Sequence, residues 1–236
     1  MRRSFLSLCL FVVCAMWSAC AAPTPSVPPA QSLPESGPSA PATQPAAETR
    51  PEIVFLGDSL TAGLGLDTPF SFPSLIQQRL DERGLPFAVV NAGVSGDTSA
   101  GGLRRLEWSL QGNPRVLIVA LGGNDGLRGL PPDELKKNLA AIIEVGQRAG
   151  LQVILAGMEA PPNNGPDYTA RFRRVYPELA KAYDIPLIPF LLDGVAGDPA
   201  LNQADGIHPN PEGARRVADT VWSALEPVLK SASGVR

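Results

Sequence analysis

Residues Ile53–Gly65 read IVFLGDSLTAGLG. Four apolar residues in a row, Ile53–Leu56, make a strand apolar on both faces, and such a strand belongs to a sheet covered on both sides. The run breaks off into Gly57-Asp58-Ser59, with a helical segment following. A glycine, a carboxylate and a hydroxyl therefore stand where a buried strand leaves its sheet.

The same grammar repeats downstream. Phe87–Asn91, Val116–Leu121, Val153–Ala156 and Leu187–Ile188 are further strand candidates. Between them lie helix-period segments. Phe72–Arg83 carries Leu75, Ile76 and Leu80 on one face, and Ala100–Gln111 carries Leu103, Leu106 and Leu110. Asp133–Ala149 places Leu135, Leu139, Ile142 and Ile143 in register. Thr169–Tyr183 is helical with an irregularity at Pro177, and Pro211–Lys230 turns Val217, Val221, Leu225 and Val228 inward. Short apolar strands alternating with helices imply parallel strands joined by right-handed crossovers, in a three-layer α/β/α sandwich. Ligands of such sheets bind beyond the carboxyl ends of the strands.

The folded domain spans residues 52–230, leaving 231–236 as a flexible tail. Met1-Arg2-Arg3, the apolar run Phe5–Trp17 and the small residues after it have the layout of an export signal over residues 1–20, too short for a comfortable membrane span. Two processing readings fit: cleavage after Ala21, or Trp17-Ser18-Ala19-Cys20, which resembles a bacterial lipoprotein box and implies a lipidated Cys20 anchoring a periplasmic protein to a membrane. Residues 21–51 form a disordered tether, since Pro23–Pro51 hold nine of the 25 prolines and cannot build a core. All three cysteines lie at or before the cleavage region, so the domain forms no disulfide. A net charge of −3 with no basic block excludes nucleic acid as a natural partner. One histidine and no thiol in the domain leave no zinc-type ligand set, and no cofactor is expected.

Three strand exits carry glycines and short polar residues: Gly57-Asp58-Ser59, Asn91–Asp97 and Gly122-Gly123-Asn124-Asp125. His208, the single histidine, sits in Asp205-Gly206-Ile207-His208-Pro209. Imidazole is the side chain suited to take and return a proton near neutrality, and a carboxylate three residues earlier can fix its tautomer. Ser59 as nucleophile, His208 as base and Asp205 as its partner make an acyl-transfer constellation. The backbone N–H groups of Ser59 and Gly93 and the Asn124 carboxamide are candidate oxyanion donors. Leu127, Leu130, Pro161 and Pro162 are candidate apolar lining for a substrate.

These blocks, Gly57-Asp58-Ser59-Leu60, Gly93, Gly122–Asp125 and Asp205-x-x-His208, resemble those of the SGNH, or GDSL, hydrolase superfamily. NAGVSGDTSAGGL (Asn91–Leu103), LGGNDGLRG (Leu121–Gly129) and DGIHPN (Asp205–Asn210) resemble its bacterial periplasmic arylesterase, acyl-CoA thioesterase and lysophospholipase L1 subfamily. The resemblance implies a flavodoxin-like fold with a five-stranded parallel sheet and the triad and oxyanion roles just named. It also implies a small acyl ester, thioester or lysophospholipid substrate cleaved through a covalent acyl-enzyme, with Met158–Tyr168 in the place of a substrate-contacting loop. A carbohydrate or peptidoglycan O-acetylesterase on the same fold is the alternative; a non-catalytic surface binding module is a lesser one.

Overall fold

Each of the five strand candidates becomes a strand. β1 (Glu52–Gly57), β2 (Ala88–Gly93), β3 (Pro114–Ala120), β4 (Gln152–Ala156) and β5 (Leu187–Ile188) form one parallel sheet in the order β2-β1-β3-β4-β5. This is the 2-1-3-4-5 order of flavodoxin-like doubly wound sheets. The structure, a computed structural model, describes residues 50–232. The expected export signal, Cys20, the tether up to residue 49 and residues 233–236 lie outside the described residues.

The helices are α1 (Ser59–Ala62), α2 (Phe72–Glu82), α3 (Ser99–Ser109), α4 (Gly123–Leu127), α5 (Pro132–Arg148), α6 (Pro166–Tyr183) and α7 (Pro211–Ala232). α2 packs with α7, while α3 packs with α5 and α5 with α6. The chain steps from β1 outward to β2, then crosses back to β3 and continues the other way, which sends helices to both faces of the sheet. Ile53–Leu56 and Val116–Val119 are fully buried, as strands covered on both sides must be. α5 shows why these helices form where they do. Pro132 opens its first turn, Asp133 and Glu134 sit at the positive end of its dipole, and Arg148 sits at the negative end. Its stripe of Leu135, Leu139, Ile142 and Ile143 is wholly buried, each side chain contributing about 1.5–3 kcal/mol relative to exposure.

Four expectations are adjusted. Phe87–Asn91 is as apolar as the central strands, yet Val89 and Val90 are only half-buried and Asn91 is exposed, because β2 is an edge strand. Its outward-facing Val89 N–H is satisfied by Gln77 Oε1 at 2.7 Å, a side chain of α2 covering the open edge. Pro177 does not interrupt α6. Pro177 and Arg173, whose carbonyl loses its helical donor, are both exposed, so the lost bond falls on the solvent side of the helix. Arg50 and Pro51 belong to the domain: Arg50 pairs with Asp81 at 2.9 Å and Pro51 O accepts the Ala88 N–H at 2.9 Å. At the other end, Ser231 and Ala232 continue α7.

Gly57 closes β1 against the turn it feeds. A Cβ on Gly57 would overlap the Thr61 side chain tucked beneath α1. Gly57→Ala should therefore lower stability by about 1–3 kcal/mol, read as a fall in the urea midpoint at unchanged slope.

Candidate active site

Gly57, the last residue of β1, is in register with Gly93 of β2 and Ala120 of β3. The three strands thus end level, and their exits open side by side. β1 and β3 are also the neighbours from which the chain departs in opposite directions, the switch point at which doubly wound sheets form a crevice.

The β1 exit turns at once into the one-turn helix α1. Asp58 caps it, Oδ1 accepting the Leu60 N–H at 3.0 Å, and Gly63, at φ 74°, closes its far end. Ser59 is the first residue of α1, where a backbone N–H has no intrahelical partner. Its hydroxyl meets His208, which arrives from the segment between β5 and α7. His208 Nε2 lies 2.8 Å from Ser59 Oγ, and His208 Nδ1 lies 2.7 Å from Asp205 Oδ2. The other Asp205 oxygen accepts the backbone N–H groups of Ile207 at 2.9 Å and His208 at 3.0 Å. These donors, with the imidazole on Oδ2, pull the Asp205 carboxyl down to about 2, so it is an anion at any working pH. The histidine loop is itself clamped. His208 O accepts the Gln203 N–H at 2.8 Å, and Asn210 Oδ1 caps α7 through the N–H groups of Glu212 and Gly213, each at 3.0 Å.

Asn124 comes from the β3 exit, in the first turn of α4. Its Nδ2 donates to Asp97 O at 2.9 Å and to Asp58 Oδ2 at 3.3 Å. Gly93 does not take the expected role. Its N–H donates to Asn91 Oδ1 at 3.0 Å, and a Cβ there would overlap the Ala62 backbone. Gly93 is the glycine that lets α1 lie against β2. Three residues on, Gly96 has the properties expected of Gly93. It sits in the turn after β2 at φ 82°, a Cβ there would meet Arg128 Nη2 at an ordinary contact distance of 3.8 Å, and Arg128 Nη2 holds its carbonyl at 2.8 Å. Arg105 braces this region, donating to Gly57 O at 2.8 Å, Ala92 O at 2.7 Å and Asp97 Oδ2 at 2.6 Å. One guanidinium thereby ties the ends of β1 and β2 to the loop on which Gly96 lies.

Ser59, Asn124 and His208 line an open cleft of about 710 Å³. Leu60, Leu127, Met158, Ala160, Pro161, Pro162, Phe190, Leu192 and Ile207 supply its apolar wall. Leu127, Pro161 and Pro162 are thus where the sequence suggests. Leu130 is not among the lining residues: it follows α4, and its carbonyl accepts the Tyr168 hydroxyl at 2.8 Å. Met158 and Ala160 belong to the Met158–Tyr168 loop that the resemblance places at the substrate, whereas Leu60, Phe190, Leu192 and Ile207 were not singled out as lining. Phe190 and Leu192 follow β5, and extending the strand-exit rule to that strand finds them.

Asp58 was also passed over. It is 3 % exposed, and burial pushes its carboxyl from 3.8 to about 6 against the pull of the Leu60 N–H, His208 and Asn124. Among the described residues no cluster of three or more His, Cys, Asp or Glu side chains could hold a metal ion.

A hydroxyl, an imidazole and a carboxylate in line at the carboxyl edge of a doubly wound sheet, with amide donors beside the hydroxyl, define a serine hydrolase. Comparison with known proteins narrows the class: residues 55–216 match the GDSL-like lipase/acylhydrolase family, and the chain belongs to it. It is 45% identical over 187 residues to esterase TesA of Pseudomonas aeruginosa, covering 79% of this chain and 92% of that one. It is 39% identical over 178 residues to thioesterase 1/protease 1/lysophospholipase L1 of Escherichia coli K12, covering 75% of this chain and 84% of that one. The crystal structure of TesA superposes with a TM-score of 0.72 over 75% of this chain and 98% of that one.

The raised Asp58 carboxyl has a thermodynamic sign. A group whose folded value lies above its unfolded one stabilises the fold fully below about 3.8 and loses that contribution as pH rises through about 6. Asp58→Asn removes this dependence. Its stability relative to the native chain should improve by about 2 kcal/mol between pH 4 and pH 7 and then level off, as measured by thermal melts across that range.

Proposed function

We propose that the chain is an exported esterase that cleaves acyl esters, thioesters and lysophospholipids through Ser59, His208 and Asp205. The observation that carries this reading is the unbroken line from Ser59 Oγ to His208 Nε2 at 2.8 Å and from His208 Nδ1 to Asp205 Oδ2 at 2.7 Å. With Nδ1 donating its proton to Asp205, Nε2 is the acceptor. Ser59 Oγ attacks the substrate carbonyl carbon while its proton passes to Nε2, and the Asp205 anion stabilises the imidazolium. The tetrahedral oxyanion takes N–H donors from Ser59, from Asn124 and, in place of Gly93, from Gly96. Collapse expels the alcohol or thiol, which leaves with the proton from Nε2. A water deprotonated by His208 then attacks the acyl-enzyme and frees Ser59. No step calls for a metal or a cofactor.

The cleft supports the substrate class. A wall of Leu, Met, Pro and Phe side chains around the serine suits a hydrocarbon chain, and about 710 Å³ is more room than an acetyl group requires. Leu127, Pro161 and Pro162 are assigned to contact that chain.

Ser59→Ala should fold normally and lose esterase activity by several orders of magnitude; turnover near the native level would exclude Ser59 as nucleophile. The companion measurement is kcat/KM along a p-nitrophenyl ester series from acetate to laurate, beside lysophosphatidylcholine and acetylated xylan. A rise with chain length is expected, whereas a maximum on acetylated xylan would favour the O-acetylesterase.

The basic, apolar and small-residue layout of residues 1–20 supports export, and Trp17–Cys20 supports lipidation at Cys20. The full-length protein should fractionate with membranes and partition into detergent, and Cys20→Ser should release it to the soluble periplasmic fraction. A soluble native protein would refute the anchor.

A further inference from the structure

The machinery described above leaves Asp58 without a part, although it stands next to the serine. Each of its oxygens is committed to a different strand exit. Oδ1 accepts the Leu60 N–H at 3.0 Å and so caps the helix that presents Ser59. Oδ2 accepts from Asn124 Nδ2 at 3.3 Å, across the switch-point crevice. An ordinary helix cap needs neither burial nor a second partner, and Ser or Thr would serve. Burying a carboxylate to 3 % exposure opposes folding, and a cost of that kind is retained at sites where the charge has a use.

The use follows from what a carboxamide can present. Asn124 has an acceptor end and a donor end, and an oxyanion is stabilised only by the donor end. Both of its protein partners, Asp97 O and Asp58 Oδ2, are acceptors, and both lie against Nδ2. They reject the flipped amide, which would face them with an oxygen. The two bonds are unequal. At 2.9 Å the Asp97 carbonyl holds one N–H firmly, and at 3.3 Å Asp58 holds the other loosely enough for a stronger acceptor to take it. Asn124 lines the cleft beside Ser59, where an oxyanion would be that acceptor.

We propose that Asp58 is a positioning residue for ester hydrolysis: its carboxylate locks the Asn124 carboxamide with Nδ2 toward the cleft, in step with the Ser59 turn that it caps. This deepens the serine-esterase reading and rests on it. The other titratable groups acting on or feeling this carboxylate are His208, from the loop before α7, and Tyr176, from α6. The Asp58 carboxyl, at about 6, is an anion at neutral pH. In acid it gains a proton and becomes a donor as well as an acceptor, so the lock weakens.

The test is a double-mutant cycle. Asp58→Ser keeps a cap for Leu60 but does not reach Asn124; Asp58→Asn keeps the shape but turns a donor toward Nδ2. Both should retain native circular dichroism and lose about 10–100-fold in kcat, with KM changed far less, because a misaimed donor is felt in the transition state. Asn124→Ala alone should lose about 100-fold or more in kcat. In that background either Asp58 substitution should change kcat by less than about 3-fold, since the group it positions is gone. Kinetics of both Asp58 variants within about 2-fold of native, an undiminished Asp58 effect in the Asn124→Ala background, or failure of both variants to fold would each overturn the proposal. Ser59→Ala, run alongside, separates the two levels. If it is inactive while the cycle shows no coupling, only the role of Asp58 falls; if it is active, the esterase mechanism and the role of Asp58 fall together.

Discussion

Parallel register governs this molecule. Because Gly57, Gly93 and Ala120 stand level across β2, β1 and β3, three loops leave the sheet at the same height. A shift of one residue in either pairing would move a loop by about 3.3 Å and turn the following side chain to the other face of the sheet. The apolar strands hold that register, since Val116–Val119 and Ile53–Leu56 are buried on both faces and have no exposed alternative. The packing of the core and the alignment of the site are thus one constraint.

On that base the site is tightened by polar contacts of increasing specificity. Glycines permit the close approaches: Gly57 admits Thr61, and Gly93 admits the backbone of α1. Arg105 then joins the strand ends through their carbonyls. Asp58 and Asn124 join the β1 exit to the β3 exit. Only His208 and Asp205 come from elsewhere, on a loop whose own bonds to Gln203 and Asn210 relieve the triad of holding it in place. Asn124 Nδ2 and the His208 loop are therefore each held by other protein groups, the first by Asp97 and Asp58 and the second by Gln203.

The electrostatic layout is uneven in a way that suits acyl transfer. Asp205, half-exposed and rich in backbone donors, is a settled anion. Asp58, buried and holding fewer donors, is pushed up to about 6. Two carboxylates thus bear on one imidazole, one fixed in charge and one responsive. Environment alone separates them, since both are aspartates.

The sequence by itself determined the strands, the long helices, the doubly wound class and the loops on which the chemistry stands. Those features follow from local apolar periodicity and from the residues that end each run, both of which can be read within about ten positions. Ser59 and Asn124 were legible as candidates because polar residues there end an apolar run, His208 because it is the single histidine, and Asp205 because a carboxylate three residues earlier can reach it. Tertiary structure decided the rest. Phe87–Asn91 does not reveal that it is an edge strand, because edge and centre differ in neighbours and not in composition. Gly93 and Gly96 are equivalent as letters, and only a hydrogen bond from Gly93 to Asn91 and the crowding by α1 separate a packing glycine from the proposed donor. The pairing of Asp58 with Asn124 joins residues 66 positions apart. No local pattern encodes it, because the partner is chosen by which strands lie side by side.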